Sequence, residues 1–410
     1  MESEVTIKQL GARGDGVAHW CGAPLYVPFA LPGERVRVAP QGKRGAGRAA
    51  RLLAVLEPAA DRCAPACRHF GLCGGCAIQH LAAPAMVAFK RDLIAGALAR
   101  RGLDDVDIAP VFTVSPATRR RAVLSAQAKG GALRLGFFAR ASKQLVDLAE
   151  CPVMAPAMVG VLADLRNALG GMKSAAITLL ASETGLDIAL AAAGEPDLAR
   201  REALGALGRR AGVARISWNG EVIAQAAAPL LHFGDIAVTP PPAGFVQASA
   251  EAQERMLGLV RDVFAGARRV ADLFCGCGAF ALPLARVSEV YAADADSAAI
   301  GALDAAGRLA GGLRPLAAEA RDLFRNPLEG VELDRFQAVV FDPPRAGAAA
   351  QAAALAASTV PVVVAISCNP ASFARDARTL IDGGYRLEKI FPIDQFLWSA
   401  HVELAAVFRR

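Results

Sequence analysis

The sequence predicts an α/β protein whose C-terminal part is a parallel β-sheet covered by helices on both faces. From about residue 244 onward, short apolar runs of strand length alternate with segments of helical length. This alternation is typical of parallel sheets, which bind their ligands at the carboxyl ends of the strands. Such strands are expected at 268–274, 289–294, 314–319, 336–341 and 361–367. Two further runs, 385–391 and 402–408, have a short connection and predict a terminal antiparallel hairpin.

The chain has 410 residues, enough for two or three domains that each bury a core. Its formal net charge of +6 suits an anionic partner, although many proteins that bind no nucleic acid share that charge. The first residues are acidic and alternate like a strand, unlike a secretory signal. The most apolar long stretch, 346–366, is interrupted by polar residues and a proline, which indicates a buried helix and strand. We therefore predict a cytoplasmic protein with no membrane partner and no evident obligate protein partner.

The nine cysteines are distributed unevenly. One is Cys21, four lie between residues 63 and 76, one is Cys151, and three fall in glycine-rich and Ser-Cys-Asn-Pro segments of the C-terminal third. A secreted disulfide framework would not place them in this way. A reducing compartment follows, and metal binding and catalysis remain as explanations for the cysteines.

The first predicted domain covers residues 1–60. Short alternating runs are separated by Gly-Asp-Gly, Pro-Gly and other glycine-rich turns, a pattern that favours a small antiparallel barrel of the oligonucleotide-binding kind. The basic segment 41–48 is expected to be a loop that contacts RNA. A solvated hairpin is the alternative interpretation of that segment.

The second predicted domain covers residues 61–243 and mixes strands with helices. It contains the cysteine cluster, a helix expected at 84–101, and three consecutive arginines, Arg119 to Arg121, that open a strand pattern. Arginine can bind phosphate oxygens through its planar fork and can stack on bases. The arginines therefore suggest RNA contact, with a plain surface strand as the alternative. The third domain covers residues 244–410.

The third domain opens with a segment suited to bind a nucleoside. In Asp272-Leu-Phe-Cys-Gly-Cys-Gly-Ala-Phe280, glycines between the first strand and first helix allow close approach of a ligand to the backbone. The G-x-G-x-x-G spacing of dinucleotide sites is missing, which disfavours NAD. Asp294 ends the next strand, where a carboxylate can accept hydrogen bonds from ribose hydroxyls. Together these features look like the S-adenosylmethionine site of class I methyltransferases.

Two motifs follow the fourth and fifth strands at the same edge of the sheet. In Asp342-Pro-Pro-Arg345 the prolines lead the chain out of the sheet. In Ser367-Cys368-Asn369-Pro370 the cysteine lies at the start of a helix, whose dipole is expected to lower the thiol pKa. Cys368 is therefore a candidate nucleophile, and a buried structural cysteine is the alternative.

A nucleophilic thiol suggests a specific reaction. Carbon 5 of uracil is a poor nucleophile, but a thiolate that adds to carbon 6 creates an enolate that can attack a sulfonium methyl group. A base must then remove the carbon 5 proton so that the enzyme sulfur can leave. Glu403, at the start of the last strand, is the best candidate, with a surface glutamate as the alternative.

At this point nearly the whole chain resembles the RNA 5-methyluridine methyltransferases, specifically the iron–sulfur branch that modifies 23S ribosomal RNA. The motifs that carry the resemblance are Cys67-x5-Cys73-Gly-Gly-Cys76 with a distant Cys151, Asp-Leu-Phe-Cys-Gly, Asp-Pro-Pro-Arg, Ser-Cys-Asn-Pro and His-Val-Glu. The resemblance implies a class I, Rossmann-like methyltransferase domain behind a TRAM-like, RNA-binding barrel and a central α+β iron–sulfur domain. It also implies that the substrate is RNA, with 23S rRNA expected.

The resemblance assigns the nucleophile to Cys368 and the proton-abstracting base to Glu403. It assigns the contacts to S-adenosylmethionine to four further residues, Gln247, Phe274, Asp294 and Asp342. Two departures stand out: Ala279 replaces an asparagine of the family, and Phe396-Leu-Trp-Ser399 replaces Phe-Pro-x-Thr.

The resemblance further implies a [4Fe–4S] cluster on Cys67, Cys73, Cys76 and Cys151. Close thiolates with one remote partner suit either zinc or iron–sulfur, and spacing does not separate the two. The radical S-adenosylmethionine pattern C-x3-C-x2-C is absent, so a cluster is expected to shape the RNA-binding domain. The remaining alternatives are methylation of a transfer RNA uridine, methylation of cytosine C5 in RNA, and a non-catalytic iron–sulfur RNA-binding protein.

Overall fold

The computed structural model describes residues 2–410 and contains three large sheets and a two-stranded one. The N-terminal sheet consists of β1 (Ser3–Thr6), β2 (Gln9–Leu10), β3 (Gly16–Trp20), β4 (Ala23–Val27), β5 (Arg35–Arg44) and β6 (Gly47–Glu57). Their order is β1-β5-β6-β4-β3-β2, and only β4 and β6 pair in parallel. Val36 and Val38 of β5 are buried while Arg35 and Arg37 are exposed, as alternation predicts.

The basic segment 41–48 is a hairpin and not the expected loop. Its residues continue β5 and β6 on either side of a turn at Gly45, whose φ of 55° favours glycine. Arg44, at the end of β5, forms a 2.6 Å ion pair with the buried Asp15. Arg140 of the following domain pairs with the other oxygen of Asp15, also at 2.6 Å. Asp15 thus joins the N-terminal sheet to the middle of the chain.

The central sheet has seven strands, and three helices pack with it. Its strands are β8 (Arg121–Lys129), β9 (Ala132–Phe138), β10 (Leu145–Asp147), β11 (Ser174–Ser182), β12 (Gly185–Ala191), β13 (Val213–Trp218) and β14 (Glu221–Gln225). The helices are α2 (Pro156–Gly160), α3 (Leu162–Ala168) and α4 (Leu198–Gly208). The strand order is β10-β9-β8-β11-β12-β13-β14. A hairpin of β15 (Leu231–Phe233) and β16 (Ile236–Val238) leads to the C-terminal sheet, whose core it joins through Phe233.

The C-terminal sheet consists of β17 (Arg269–Leu273), β18 (Glu289–Asp294), β19 (Leu316–Ala320), β20 (Ala338–Phe341), β21 (Val362–Ser367), β22 (Arg386–Asp394) and β23 (Glu403–Arg409), with a short strand, β7 (Phe112–Thr113), at one edge. Its order is β19-β18-β17-β20-β21-β23-β22-β7. The first five strands pair in parallel and β22–β23 is an antiparallel hairpin, which confirms the predicted arrangement. The hairpin's second strand inserts beside β21, a placement that the sequence did not indicate.

Helices cover both faces of this sheet, as predicted. They are α1 (Ala83–Ala99), α5 (Ala250–Val263), α6 (Ala281–Leu284), α7 (Ser297–Leu309), α8 (Val331–Asp334), α9 (Ala349–Ala357) and α10 (Pro370–Asp382). One core lies between the sheet and α5–α7, the other between the sheet and α1, α9 and α10. The apolar stretch 346–366 divides into α9 and β21, as expected. No helix within residues 2–410 has both the length and the apolar character needed to cross a membrane.

Residues 83–113 belong by sequence to the predicted second domain, but they pack on the third. Ile94 and Leu98 of α1 share the core of Phe373 and Leu380 in α10, and β7 pairs with β22. Lys90 of α1 is fully buried and forms an ion pair with the equally buried Asp394 at the end of β22. Its Nζ also donates to the Phe396 carbonyl at 3.1 Å. Helix α1 therefore holds the segment that follows β22.

Replacing Lys90 by methionine is expected to destabilise the protein strongly. The change leaves the Asp394 carboxylate buried without its cation, and removing one member of a buried pair costs about 3–5 kcal/mol. Urea unfolding should show a loss of that size. The control is Arg325→Met, which removes a 3.5 Å pair with Asp322 whose arginine is 90% exposed, and which should cost less than about 1 kcal/mol. Equal losses in the two variants would contradict a structural role for the buried pair.

Candidate active site

A cavity of about 470 Å³ opens at the carboxyl ends of β17, β18, β20 and β21. This is the edge at which parallel sheets bind ligands. All six residues assigned from the sequence to the reaction and to the cofactor line this one cavity, namely Gln247, Phe274, Asp294, Asp342, Cys368 and Glu403. Ala279, where the sequence departs from the family, also lines it.

The loop after β17 presents backbone to the cavity. Phe274 has a φ of 62° and Gly276 a φ of 53°, so the chain turns sharply away from the sheet. No atom lies within 4 Å of the position that a Gly276 Cβ would take, which leaves room for a ligand to approach the backbone. The Gly276 N–H donates to Asp294 Oδ2 at 2.9 Å. Asp294, at the end of β18, is thereby oriented toward the same space, as a nucleoside site requires.

Gln247 and Asp342 contact one another across the cavity. The Gln247 Nε2 donates to Asp342 Oδ2 at 2.6 Å. The backbone carbonyl of Gln247 accepts a hydrogen bond from the guanidinium of the buried Arg120 at 3.0 Å. The same guanidinium donates a second hydrogen bond to the Gln253 side chain. Burial raises the pKa of the Asp342 carboxyl above its ordinary value, with a further contribution from Asp294 and an opposing one from Gln247.

Cys368 stands between the end of β21 and the start of α10. Asn369 caps α10, with its Oδ1 accepting from the Ala371 N–H at 3.2 Å. Its Nδ2 donates to the Arg345 carbonyl at 3.0 Å, which ties the Asp-Pro-Pro-Arg loop to the cysteine loop. The two motifs therefore form one rigid wall of the cavity.

The predicted lowering of the Cys368 pKa by the helix dipole is wrong. Burial raises the pKa of the thiol to about 11, and the nearby carboxylates of Glu403 and Asp342 raise it further. The Arg345 guanidinium opposes this rise. The Asn369 side chain, not the sulfur, accepts the hydrogen bond from the first turn of α10.

Glu403 begins β23 and is 3% exposed. Burial, and then the Asp342 carboxylate, raise the pKa of its carboxyl well above the ordinary value. The Gln395 Nε2 donates to Glu403 Oε2 at 2.8 Å and opposes that rise. Gln395 lies four residues past the predicted strand 385–391 and belongs to no motif, so the sequence did not reveal it.

The segment that departs from the family forms a tight turn. Trp398 has a φ of 60°, and its carbonyl accepts hydrogen bonds from the backbone N–H groups of Ala77 and Ile78 at 2.9 and 3.0 Å. The Ser399 hydroxyl donates to the Phe396 carbonyl at 2.8 Å. The turn therefore contacts the cysteine segment directly.

Cys67, Cys73, Cys76 and Cys151 line a second cavity of about 270 Å³. Burial raises the pKa values of Cys67, Cys73 and Cys76, that of Cys76 to about 12, and the nearby thiols raise each of the three further. The exposed Cys63 does not line this cavity and contacts the Gln79 carbonyl at 3.5 Å. No three His, Cys, Asp or Glu side chains within residues 2–410 surround a single ion position.

The two cavities are neighbours. Arg119 and Phe396 line both, with the guanidinium 5.9 Å from the ring centroid. At the mouth of the first cavity, Arg121 lies over the ring of Phe245 at 5.6 Å, and that phenylalanine is 65% exposed. Aromatic rings and guanidinium planes of this kind can stack on unpaired bases.

Comparison with known proteins identifies relatives of this chain. The tRNA (uracil-5-)-methyltransferase family model matches residues 237–410. An RNA methyltransferase of Brucella suis is 49% identical over 99% of this chain and 98% of its own length. The 23S rRNA (uracil(1939)-C(5))-methyltransferase RlmD of Halomonas elongata is 32% identical over 98% of this chain and 88% of its own. The crystal structure of the tRNA (uracil-54, C5)-methyltransferase of Pyrococcus abyssi shares the fold, with a TM-score of 0.78 over 99% of both chains at 22% identity.

The strand order, the glycine loop and the cavity at the strand ends define a class I S-adenosylmethionine-dependent methyltransferase. The chain belongs to the RNA (uracil-5-)-methyltransferase family. It uses S-adenosylmethionine to methylate carbon 5 of uracil in RNA.

Alkylation by iodoacetamide should show how strongly the cavity suppresses the Cys368 thiolate. Because the thiolate is the reacting form, the rate at Cys368 should climb with pH, with a midpoint near pH 11 set by the raised pKa of the thiol. Peptide mass spectrometry of a pH series on the protein without RNA gives the profile. The exposed Cys21, followed in the same samples, reports the reagent's own pH dependence. A plateau below pH 8 would mean that the helix dipole outweighs burial and the two carboxylates.

Proposed function

We propose that the enzyme methylates a uridine of 23S rRNA through a covalent adduct on Cys368, which Glu403 resolves as the base. One observation carries the proposal: a thiol and a buried carboxylate face the same cavity as the glycine loop and Asp294. If the acceptor atom is already nucleophilic, a methyltransferase needs neither a thiol to activate it nor a base to remove a proton after methyl transfer. Both groups are required when the acceptor carbon must be activated and then deprotonated.

In the first step the Cys368 thiolate, its proton lost to solvent, forms a bond to carbon 6 of uracil. The electrons of the carbon 5–carbon 6 double bond move toward oxygen 4 and leave an enolate. Arg345, the cation that lowers the Cys368 pKa, favours the thiolate needed for this attack. S-adenosylmethionine, when bound, supplies an electrophilic methyl group to carbon 5.

In the second step the Glu403 carboxylate accepts the proton from carbon 5. The electrons of that bond restore the double bond, and the Cys368 sulfur leaves as thiolate. The enzyme returns to its starting state when Glu403 releases its proton to solvent and the Cys368 thiolate takes one up. The raised pKa of Glu403 makes it a stronger base than an exposed glutamate, provided that it is ionised. Burial also keeps water from competing with the transfers.

Gln247, Phe274, Asp294 and Asp342 would hold S-adenosylmethionine. Asp294 is placed to accept from ribose hydroxyls, and the open backbone at Gly276 leaves space for the nucleoside. The cavity of about 470 Å³ falls within the range usual for small-molecule sites. Ala279 offers only backbone polar groups where relatives of the family carry an amide.

The name of the Halomonas relative, which extends over nearly the whole chain, favours 23S rRNA as the substrate. The names of the matching family model and of the Pyrococcus structure favour transfer RNA, which is the second candidate. Arg121 and Phe245, at the mouth of the cavity, would contact nucleotides beside the target. We assign the N-terminal sheet, whose hairpin carries exposed basic residues, to RNA binding as a TRAM-like barrel. The predicted divisions at 60/61 and 243/244 accompany this assignment, except that residues 83–113 pack on the catalytic sheet.

We also propose a [4Fe–4S] cluster on Cys67, Cys73, Cys76 and Cys151. A mononuclear zinc site holds its sulfurs in a tetrahedron at about 2.3 Å from the metal. The described residues contain no such compact group, yet the four thiols share one cavity. The resemblance to the iron–sulfur branch favours a polynuclear cluster over a single zinc ion at these thiols. The two residues after Cys76, Ala77 and Ile78, donate backbone hydrogen bonds to the Trp398 carbonyl. A cluster on Cys76 would therefore support the cavity wall next to Glu403.

Two variants separate the steps of the mechanism. Cys368→Ser should methylate at least about 10³-fold more slowly and form no covalent complex, because the hydroxyl is far less ionised than a thiol. Glu403→Gln should still transfer the methyl group but retain the RNA covalently. Labelled cofactor is incubated with unmodified 23S rRNA or unmodified transfer RNA, followed by denaturing gels and mass spectrometry of the base. Undiminished methylation by Cys368→Ser would overturn the mechanism, and methylation of transfer RNA alone would overturn the substrate.

The cluster has its own test. Protein purified without oxygen should contain about four irons per chain and a broad absorption band near 400 nm. Replacing Cys151 by serine should lower the iron content, whereas Cys63→Ser, outside the cavity, should not. Stoichiometric zinc without iron would contradict the assignment.

A further inference from the structure

Gln395 lies at the centre of a buried hydrogen-bonded chain that joins the cofactor side of the cavity to Glu403. It is 3% exposed. Its Nε2 donates to Glu403 Oε2 and to Gln247 Oε1, both at 2.8 Å. Gln247 in turn donates to Asp342. Two carboxylates at opposite ends of the chain therefore each accept a hydrogen bond from an amide.

The direction of this chain is fixed by one backbone group. The Ala248 N–H donates to Gln395 Oε1 at 3.1 Å. Because an amide oxygen cannot donate, this bond keeps Nε2 of Gln395 turned toward Glu403. A flipped amide would face the carboxylate with an oxygen and lose the Ala248 bond. Gln395 therefore stabilises the ionised form of Glu403 more than the neutral form.

The backbone of Gln395 is also held in place. The preceding residue, Asp394, is paired with Lys90 of α1, and Lys90 donates to the carbonyl of the following residue, Phe396. Both residues of the pair are fully buried. A side chain attached to such a backbone has little freedom, so its amide stays aimed at Glu403 with a small entropic cost.

The other groups around Glu403 oppose its ionisation or leave it unsupported. Asp342 raises its pKa, and the Cys368 thiol would add a further negative charge when ionised. Arg345 faces Cys368, while Lys90 is already paired with Asp394. Within residues 2–410, Gln395 supplies the hydrogen bond that the Glu403 side chain accepts.

We propose that Gln395 is a positioning residue that keeps Glu403 ionised and aimed at the target base, so that the covalent RNA adduct can be resolved. This role rests on the proposed function, in which Glu403 removes the carbon 5 proton. It concerns the second step of the reaction and not the addition of Cys368. Gln395 acts through Glu403 and need not touch the RNA.

The test measures resolution of the adduct in a single turnover. Enzyme in excess over labelled, unmodified 23S rRNA is quenched at intervals, and the covalent complex is followed on denaturing gels over a pH series. Gln395→Met removes the amide at similar volume. A hydrogen bond to a charged group is lost, so the adduct should decay about 10- to 100-fold more slowly, with its pH midpoint raised by about one unit or more.

Gln395→Glu is the second variant, because it keeps the volume and the acceptor for the Ala248 N–H but replaces the donor by a like charge. It should slow resolution at least as much. Gln351→Met is the matched control, since it removes an equally buried amide that bonds only to the Leu328 backbone and lies outside the cavity. Its adduct should form and decay at the wild-type rates.

Wild-type decay and an unmoved pH midpoint in both Gln395 variants would overturn the inference. The same result together with adduct retention in Glu403→Gln would leave the proposed function intact. If Glu403→Gln also resolves its adduct normally, the proposed function fails instead. Slower decay in Gln351→Met equal to that in Gln395→Met would show a general loosening of the protein and would likewise overturn the specific role of Gln395.

Discussion

The cost of burying negative charge governs the active site of this methyltransferase. Asp342 and Glu403 are both withdrawn from water in one cavity, which raises the pKa of each carboxyl. Both carboxylates also raise the pKa of the Cys368 thiol. A buried carboxylate is tolerated only when polar groups replace its lost hydration. The amides of Gln247 and Gln395 supply those groups, and the Ala248 N–H fixes their direction. The orientation of two side chains thus follows from one backbone bond.

The same constraint explains why distant parts of the chain meet at the segment between β22 and β23. Lys90 reaches it from α1, and the backbone after Cys76 reaches it through the Trp398 carbonyl. Each contact satisfies a polar group that would otherwise be buried without a partner. The wall that carries Glu403 is therefore shared between the catalytic sheet and the cysteine segment. Arg119 and Phe396, which line both cavities, continue that shared wall toward the surface.

The catalytic sheet could be predicted closely because its signals are local. Strands buried on both faces are continuous apolar runs, and these runs predicted the parallel strands β17 to β21 to within a few residues. The motifs at the strand ends then placed Asp294, Asp342 and Cys368 at one edge of the sheet. The Cys368 pKa was predicted in the wrong direction. A helix terminus is visible in sequence, whereas the burial and carboxylates that outweigh it come from residues far along the chain.

The sequence by itself determined the class of fold, the edge at which the site lies, and the residue types available for the chemistry. These depend on periodicity and short motifs, which act between near neighbours in the chain. The tertiary structure alone decided that β23 inserts beside β21, that α1 packs on the catalytic sheet, and that Gln395 faces Glu403. The first two depend on contacts between residues widely separated in sequence, and the third depends on the direction of one side-chain amide. No local sequence pattern encodes such contacts or such a direction.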